Sequence, residues 1–375
     1  MPSFRYLMRA HDGSSHDGTI IPQPNRTLIA GQAQALVGDP VFCPRCNGVF
    51  PIVGWHANPP LSKGMPAAEG MVTACGAILQ ASQKQQSLSV DFLALAHELI
   101  DVFALAPSQA SAFEDPQYPA STQQHPFAKT ILIRQLRARL RRHLDLPNLA
   151  SPSIQQGPSS LCGPACFAFC LLQDRPDHYV ATILSLWQHG QAQLGQQRLQ
   201  PRPTTLRPKN FTHADSHGQH THLPIIDWIF LASLKDSSNK LLPYATPHHK
   251  TAGITFWFHL DRWFHAVGAP KLNHYYAPLG SHSRQIAQLN QQHPDHHLIA
   301  LVGAGLLHNG HGRLSNHWIV LTKPPVYAQQ PPLADTHTRL QLFSWGQCSE
   351  QGRLNLTFKS FKQHLYGVWS YGQIP

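Results

Sequence analysis

The feature that most constrains the fold is a short repeat near the start of the chain. The segments GDPVFC and GMVTAC align without gaps, and they end at Cys43 and Cys75, a spacing of 32 residues. A third copy, HDGSSH, ends at His16. Each copy therefore ends in a residue that can bind a metal ion. A chain that winds three times in this way brings the three ends to one apex.

The repeat predicts a zinc site. Cys43 and Cys46 form a Cys-x-x-Cys pair, whose spacing lets two thiolates reach one tetrahedral ion. With His16 and Cys75 at the equivalent repeat positions, the expected ligand set is Cys3His. A redox pair or buried thiols is the alternative. The sequence between these four residues consists of short strand-like segments separated by Gly and Pro. We therefore expect a small β unit that a structural zinc ion stabilises.

This region resembles the PAAR-repeat domains that cap the spike of the bacterial type VI secretion system. The resemblance covers residues 1–85 and rests on SSHDGTIIPQPNRTLIAGQAQALVGDPVFCPRC together with VTACGAILQASQ. It implies a short β cone with one zinc ion near its tip. It also implies that the broad base of the cone sits on a VgrG spike trimer.

Charge and hydropathy limit where the protein could reside and what it could bind. No run of eighteen apolar residues occurs and the N-terminus lacks a signal-peptide pattern, so we expect a soluble protein that does not use the Sec route. The formal charge is +10, but only 13% of the 375 residues are charged. The densest basic run, RQLRARLRRHLD at 134–145, has leucines at helical spacing. It predicts an amphipathic helix with a basic solvated face rather than a nucleic-acid reader.

The rest of the chain divides into a connecting segment and a larger domain. Residues 86–150 are expected to form a linker with helical segments, among them VDFLALAHELIDVFAL. From residue 151 to 375, helical patterns come first and short strand patterns, such as HLIALVGAG and HWIVLT, follow. This order predicts an α+β domain.

Cys162 is the candidate nucleophile of this domain. Gly163 and Pro164 follow it, as expected where a turn enters a helix, so the sulfur lies at the positive end of the helix dipole. A helix N-terminus and a nearby histidine lower a thiol pKa, and we expect that here. Cys166 and Cys170 lie deeper along the same helical face, where core packing is the expected role.

Two further side chains are expected to act with Cys162. Gln156, six residues upstream, can stabilise a tetrahedral oxyanion together with the backbone N–H of Cys162. His317 begins the strand-like run HWIVLT, and a histidine at a strand start facing a helix N-terminus is the expected base. His308 and His311, in the preceding Gly-rich loop, are the runners-up.

The pattern Q-x5-C-G-P-A followed by NHWIVL resembles the papain-like cysteine peptidases, especially the C39-like branch. More narrowly, SSLCGPACFAFCLLQDRPDHYV, GIT, SNHWIVLT and FSWGQ resemble the toxin domains that follow PAAR tips in interbacterial effectors. The resemblance covers residues 150–375, with a looser match in the middle. It implies that Cys162 is the nucleophile, His317 the general base and acid, and Gln156 the oxyanion-hole side chain.

The third catalytic residue departs from the family pattern. Papain-like enzymes orient the histidine with Asn or Asp on the next strand, and RLQLFSWGQ has neither. Within that run, Ser344 is our choice for the residue that orients the histidine. A Cys-His dyad whose histidine is oriented by a main-chain group is an equal alternative. The other polar candidates are Gln341, Gln347 and Asp335.

The expected function is a spike tip that carries a cysteine peptidase toxin against rival bacteria. It would be loaded from the producer's cytoplasm, delivered by the type VI machine into the target cell, and neutralised in the producer by an immunity protein.

The reaction and the function each have alternatives. Hydrolysis, deamidation and acyl transfer use the same catalytic groups, so all three reactions stay open. Cleavage of peptidoglycan stem peptides and a non-catalytic adaptor are the alternatives. A nucleic-acid binder ranks last, because the basic helix lacks interleaved aromatic residues.

Overall fold

The structure is a computed structural model of the chain. It describes residues 3–56, 62–107, 111–113, 125–144, 154–157, 159–208, 212–214, 220–239, 243–244, 246, 253–276, 296–307, 315–329, 332–351 and 356–375. The runner-up histidines His308 and His311 lie outside the described residues. Within these residues, no helix has both the length and the apolarity that crossing a bilayer requires.

The N-terminal part is a small β unit, as the sequence predicts. Its strands are β1 (Ser3–Tyr6), β2 (Gly13–Ser14), β3 (Thr19–Ile20), β4 (Leu28–Ile29), β5 (Gln32–Ala33), β6 (Pro40–Cys43), β7 (Gly48–Gly54), β8 (Val72–Thr73), β9 (Leu79–Gln80) and β10 (Ser87–Val90). In the described residues, the main sheet has the order β8-β7-β6-β3-β2-β9, and β1 pairs antiparallel with β10. A separate apolar core, which includes Val41, Ile52 and Trp55, fills the unit.

The segment expected to link the two domains contains both predicted helices. They are α1 (Phe92–Leu105) and α2 (Lys129–Leu144). Ile100 of α1 and Leu136 of α2 are buried in the same apolar core as the helices that follow. Most of α1 and α2 therefore packs in the C-terminal body, whereas Phe92, the first residue of α1, is buried in the N-terminal core. The division at residues 85 and 150 stays a prediction.

The basic face of α2 is not wholly solvated, which corrects the sequence interpretation. Arg139 is buried, and its guanidinium donates to both carboxylate oxygens of Asp227 at 2.8 and 2.7 Å. It also donates to the hydroxyl of Tyr179 at 3.1 Å. Two parallel hydrogen bonds to one carboxylate compensate the burial of the charge. Arg137, by contrast, forms an exposed pair with Asp101.

The C-terminal body mixes helices and strands, as expected, whereas the papain-like fold stays a prediction. Its helices are α3 (Cys162–Asp174), α4 (Pro176–His189), α5 (Pro203–Leu206), α6 (Ile225–Asp227), α7 (Ser233–Ser238), α8 (Trp257–Ala266) and α9 (Phe358–His364), with a π-helical turn at Trp228–Ala232 and a 3-10 turn at Ala304–Leu306. Its strands are β11 (Ala192–Leu194), β12 (Gln197–Leu199), β13 (Thr212–Ala214), β14 (His220–His222), β15 (Lys271–Tyr276), β16 (His297–Gly303), β17 (Ser315–Leu321), β18 (Val326–Tyr327), β19 (Thr338–Ser344), β20 (Gln347–Gln351) and β21 (Leu365–Tyr371).

One antiparallel sheet organises this body. Within the described residues its order is β15-β21-β16-β17-β19-β18, and β20 pairs with β19. Alternate residues of β17 enter two different cores: Trp318 and Val320 join the core around α3, while Ile319 and Leu321 join the opposite one. Period-two alternation therefore places α3 against one face of the sheet, beside β17.

The N-terminal unit contacts the C-terminal body through the start of α4. Arg175 is fully buried, and its guanidinium lies 4.1 Å from the ring centroid of Phe92 and 5.3 Å from that of Trp55. The same guanidinium donates to both carboxylate oxygens of Asp177, at 2.9 and 2.8 Å. His178 Nε2 lies 3.0 Å from the main-chain oxygen of Trp55. The two parts are thus joined by buried polar groups as well as by apolar packing.

Candidate metal centre and candidate cysteine site

The four predicted metal ligands converge at one end of the N-terminal sheet. His16 follows β2, Cys43 ends β6, Cys46 lies in the turn before β7, and Cys75 follows β8. One ligand atom from each of the four lies within 4.8 Å of the others. His16 Nδ1 is 3.5 Å from the sulfur of Cys43 and 3.7 Å from that of Cys46. The repeat thus brings its three ends together, as the sequence analysis expects.

These residues fit a zinc ion. With Zn–N of about 2.0–2.1 Å and Zn–S of about 2.3 Å, a tetrahedral site separates the nitrogen and sulfur ligands by about 3.6 Å. The distances from His16 agree with this value. Burial lowers the pKa of His16, which favours the neutral ring that a ligand must have. Thr73 Oγ1 lies 3.2 Å from the sulfur of Cys75 and can orient that ligand.

Cys162 is the first residue of α3, at the position that the sequence predicts. Its side chain is buried. Burial raises the pKa of the Cys162 thiol, although hydrogen bonds from the main-chain N–H groups of Trp318, Gly163 and Cys162 itself act in the opposite direction. The expectation of a lowered pKa is therefore wrong for this arrangement. Desolvation of the thiolate outweighs the dipoles at the helix start.

Gln156 is buried in the loop just before α3. Its side-chain amide donates to the main-chain oxygen of Ser159 at 3.4 Å, and the Ser159 hydroxyl donates to the main-chain oxygen of Gln156 at 2.5 Å. These contacts hold the loop that leads into Cys162. Its role in an oxyanion hole stays a prediction.

His317 and Ser344 lie together. His317 Nε2 is 2.7 Å from the hydroxyl oxygen of Ser344, and the imidazole stacks on Trp345 with ring centroids 4.1 Å apart. The neighbouring residue on β17, Trp318, directs its main-chain N–H to the sulfur of Cys162. The strand that carries His317 therefore runs beside Cys162. A direct Cys162–His317 dyad stays a prediction, as does the role of Ser344 as orienting residue.

Sequence reasoning missed the surroundings of Cys162 on two other segments. Lys235 of α7 and Tyr244 are both fully buried, and both interact electrostatically with Cys162. The segment 253–255 crosses the start of α3 and contacts Gly163. One signal was available: Lys235 is the lone basic residue of the apolar run IIDWIFLASLKD.

Gly163 lets this segment approach α3, and Gly163→Ala is expected to destabilise the domain. A Cβ atom at position 163 would lie 2.4 Å from Cγ2 of Thr255. Overpacking of this kind costs about 1–3 kcal/mol, against a helix-propensity gain of at most about 1 kcal/mol. A thermal unfolding scan should show a lowered midpoint. The control is Gly13→Ala, where the nearest atom to the new Cβ is 4.0 Å away. Equal midpoints for the two variants would contradict the prediction.

Comparison with known proteins identifies the N-terminal unit. Residues 10–81 match the family model described as PAAR motif. No curated protein and no solved structure matched the chain. The matched residues include the four candidate metal ligands, and the Cys162 region lies outside the match. The N-terminal unit is thus a PAAR-motif unit, which supports a role at the spike tip of a type VI secretion system.

Proposed function

We propose that the protein is a type VI secretion effector in which a zinc-bearing PAAR tip carries a cysteine peptidase toxin. The PAAR match and the convergence of His16, Cys43, Cys46 and Cys75 support the first half of this proposal. The tip would sit on a VgrG spike trimer. Zinc, when bound, would hold the ends of the short strands together and contribute no catalytic chemistry.

The peptidase half rests on one observation, the position of Cys162. Its sulfur lies at the start of a largely buried helix, beside the main chain of the strand that begins near His317. In the proposed reaction the Cys162 thiolate attacks an amide carbonyl carbon and displaces the amine, which leaves as the thioester forms. Water then hydrolyses the thioester. His317 would shuttle the protons, Ser344 would orient its ring, and Gln156 would donate to the oxyanion.

The biological consequence is intoxication of a competing bacterium after delivery. A cognate immunity protein would cover the Cys162 region in the producer cell. The substrate would be a protein of the target cell.

The test is expression of the full chain and of its Cys162→Ala variant in a sensitive bacterium. We expect growth arrest and new protein termini, found by mass spectrometry, with the wild-type chain and neither with Cys162→Ala. The matched control is Cys170→Ala, two turns along the same helix, which should retain toxicity. Full toxicity of Cys162→Ala would refute the peptidase and favour the adaptor alternative. Toxicity that requires export to the periplasm would favour peptidoglycan as the substrate.

A further inference from the structure

Among the described residues, a second group of candidate metal ligands lies at the junction of the two parts. His56, which follows β7, comes from the N-terminal unit, whereas Asp177 and His178 lie in the first turn of α4. One ligand atom from each of the three lies within 4.8 Å of the others. Asp177 and His178 are buried, and the side chain of His56 is only 9% exposed. The group is therefore a largely enclosed His2Asp set with ligands from both parts.

His56 has a buried ring nitrogen that needs a partner. Its Nε2 lies 3.1 Å from Oδ2 of Asp177, but in the described part of the chain no hydrogen bond satisfies this nitrogen. In a tetrahedral site with bonds of about 2.0–2.1 Å, two nitrogen or oxygen ligands of one ion are about 3.3–3.4 Å apart. Nε2 and Oδ2 are thus spaced much as two ligands of one ion would be, and a cation would satisfy the nitrogen.

A hydrogen bond already orients the ring of His178. Its Nε2 lies 3.0 Å from the main-chain oxygen of Trp55. Because a carbonyl oxygen can only accept, Nε2 carries the hydrogen and Nδ1 keeps its lone pair. Metal-binding histidines almost always donate their other ring N–H to a carbonyl or a carboxylate in this way. His178 is therefore held as a ligand would be.

Arg175 does not use all of the acceptor capacity of the Asp177 carboxylate. Its Nε donates to Oδ1 at 2.9 Å, and its Nη2 donates to Oδ2 at 2.8 Å. An ionised carboxylate has about four lone-pair sites, so each oxygen keeps one for another partner. The guanidinium thus fixes the carboxylate beside His56, as hydrogen bonds fix other carboxylate ligands. Its positive charge also weakens the binding of a cation.

A cavity of about 60 Å³ adjoins the cluster. His56 and His178 both line it, and its polar lining includes Thr182, Ser185 and Gln193. A cavity needs only about 10–15 Å³ to hold a water molecule. Water can therefore complete the coordination of an ion that has three protein ligands.

We propose that His56, Asp177 and His178 bind a divalent transition-metal ion that ties the N-terminal unit to the C-terminal body. Two imidazoles and one carboxylate suit zinc and its neighbours, whereas calcium and magnesium prefer oxygen ligands alone. With no thiolate and a guanidinium nearby, this site is weaker than the Cys3His set. We expect the purified chain to gain this ion only from added zinc. The inference does not depend on the peptidase activity.

Equilibrium dialysis of the full chain against increasing free zinc, followed by elemental mass spectrometry, counts the bound ions. The variant is His56→Phe, which removes the ligand nitrogen but keeps a ring beside that of His178, whose centroid is 5.0 Å away. At saturation we expect His56→Phe to bind about one zinc ion per chain fewer than the wild type. The matched control is His265→Phe, which replaces an exposed histidine of α8 and should bind as many ions as the wild type.

Thermal unfolding tests whether the ion ties the two parts together. Added zinc should raise the unfolding midpoint of the wild type by a few degrees and leave that of His56→Phe unchanged. Without added zinc, His56→Phe should be as stable as the wild type, because it removes a nitrogen that lacks a hydrogen bond.

Equal zinc counts in the wild type and a folded His56→Phe variant overturn the proposal, because the ions then bind elsewhere. A variant that is destabilised equally with and without zinc also overturns it, since His56 would then form only an ion pair with Asp177. Should His56→Phe fail to fold, His56→Gln is counted in its place, with His265→Gln as its control.

Discussion

Replacing Cys46 by serine is expected to abolish zinc binding and to unfold the N-terminal unit. The serine hydroxyl is a poor zinc ligand, and three remaining ligands hold the ion much less tightly. Binding of structural zinc contributes about 10–16 kcal/mol in small zinc peptides, which is as large as the whole stability of a typical domain. The strands of this unit are short, several of them two residues long, so little else fixes their arrangement.

Elemental mass spectrometry of the purified full chain measures this loss directly, and circular dichroism with added chelator follows the unfolding. The matched control is Arg45→Ser, which changes the exposed neighbour of Cys46 and should keep one zinc ion per chain. A Cys46→Ser chain that binds zinc fully and unfolds as the wild type does would show that the four residues are not a structural zinc site.

The second large effect is expected for Arg175→Met, at the junction of the two parts. Asp177 is fully buried, and the Arg175 guanidinium is the first of the groups that hold its pKa far below the usual range against desolvation. Removing the arginine leaves a buried carboxylate with too little compensation, which costs about 3–5 kcal/mol. The guanidinium also lies against Trp55 and Phe92. We therefore expect the N-terminal unit to separate from the body as well.

Urea unfolding of the full chain measures the loss of stability, and limited proteolysis detects the separation of the N-terminal unit. Adding Asp177→Leu to Arg175→Met removes both charges and should recover most of the lost stability. Arg137→Met, which breaks the exposed pair with Asp101, should cost less than about 1 kcal/mol. If Arg175→Met is no more destabilising than Arg137→Met, the buried pair does not stabilise the junction.

The convergence of the four candidate metal ligands was predictable because their positions follow from a repeat. The repeat copies that end at Cys43 and Cys75 align at an offset of 32 residues, so equivalent residues recur at equivalent places in a wound chain. The ligands therefore meet without help from any distant segment. The position of Cys162 was predictable for a similar local reason, since Gly163 and Pro164 indicate the start of a helix. Both inferences use residues that are close in sequence.

The protonation of the cysteine site was not predictable in this way. A helix start alone lowers a thiol pKa, but the segments that bury Cys162 come from far along the chain, and their desolvation reverses the direction. The partner of Arg139 is likewise distant: Asp227 is 88 positions away in the sequence. A basic amphipathic pattern does not indicate which of its arginines will form an ion pair with a carboxylate.

The sequence by itself determined several elements and the candidate metal ligands. These are the repeat that ends in His16, Cys43 and Cys75, the helix that begins at Cys162, and the α1 and α2 helices. Only the tertiary structure decided which charges are buried and what they contact. Lys235 donates to the main-chain oxygen of Ile254, Arg139 pairs with Asp227, and Arg175 pairs with Asp177. The physical reason is the distance along the sequence over which each effect acts. Repeat spacing, helix starts and periodicity act over a few residues, whereas desolvation and ion pairing depend on every segment that closes over a group.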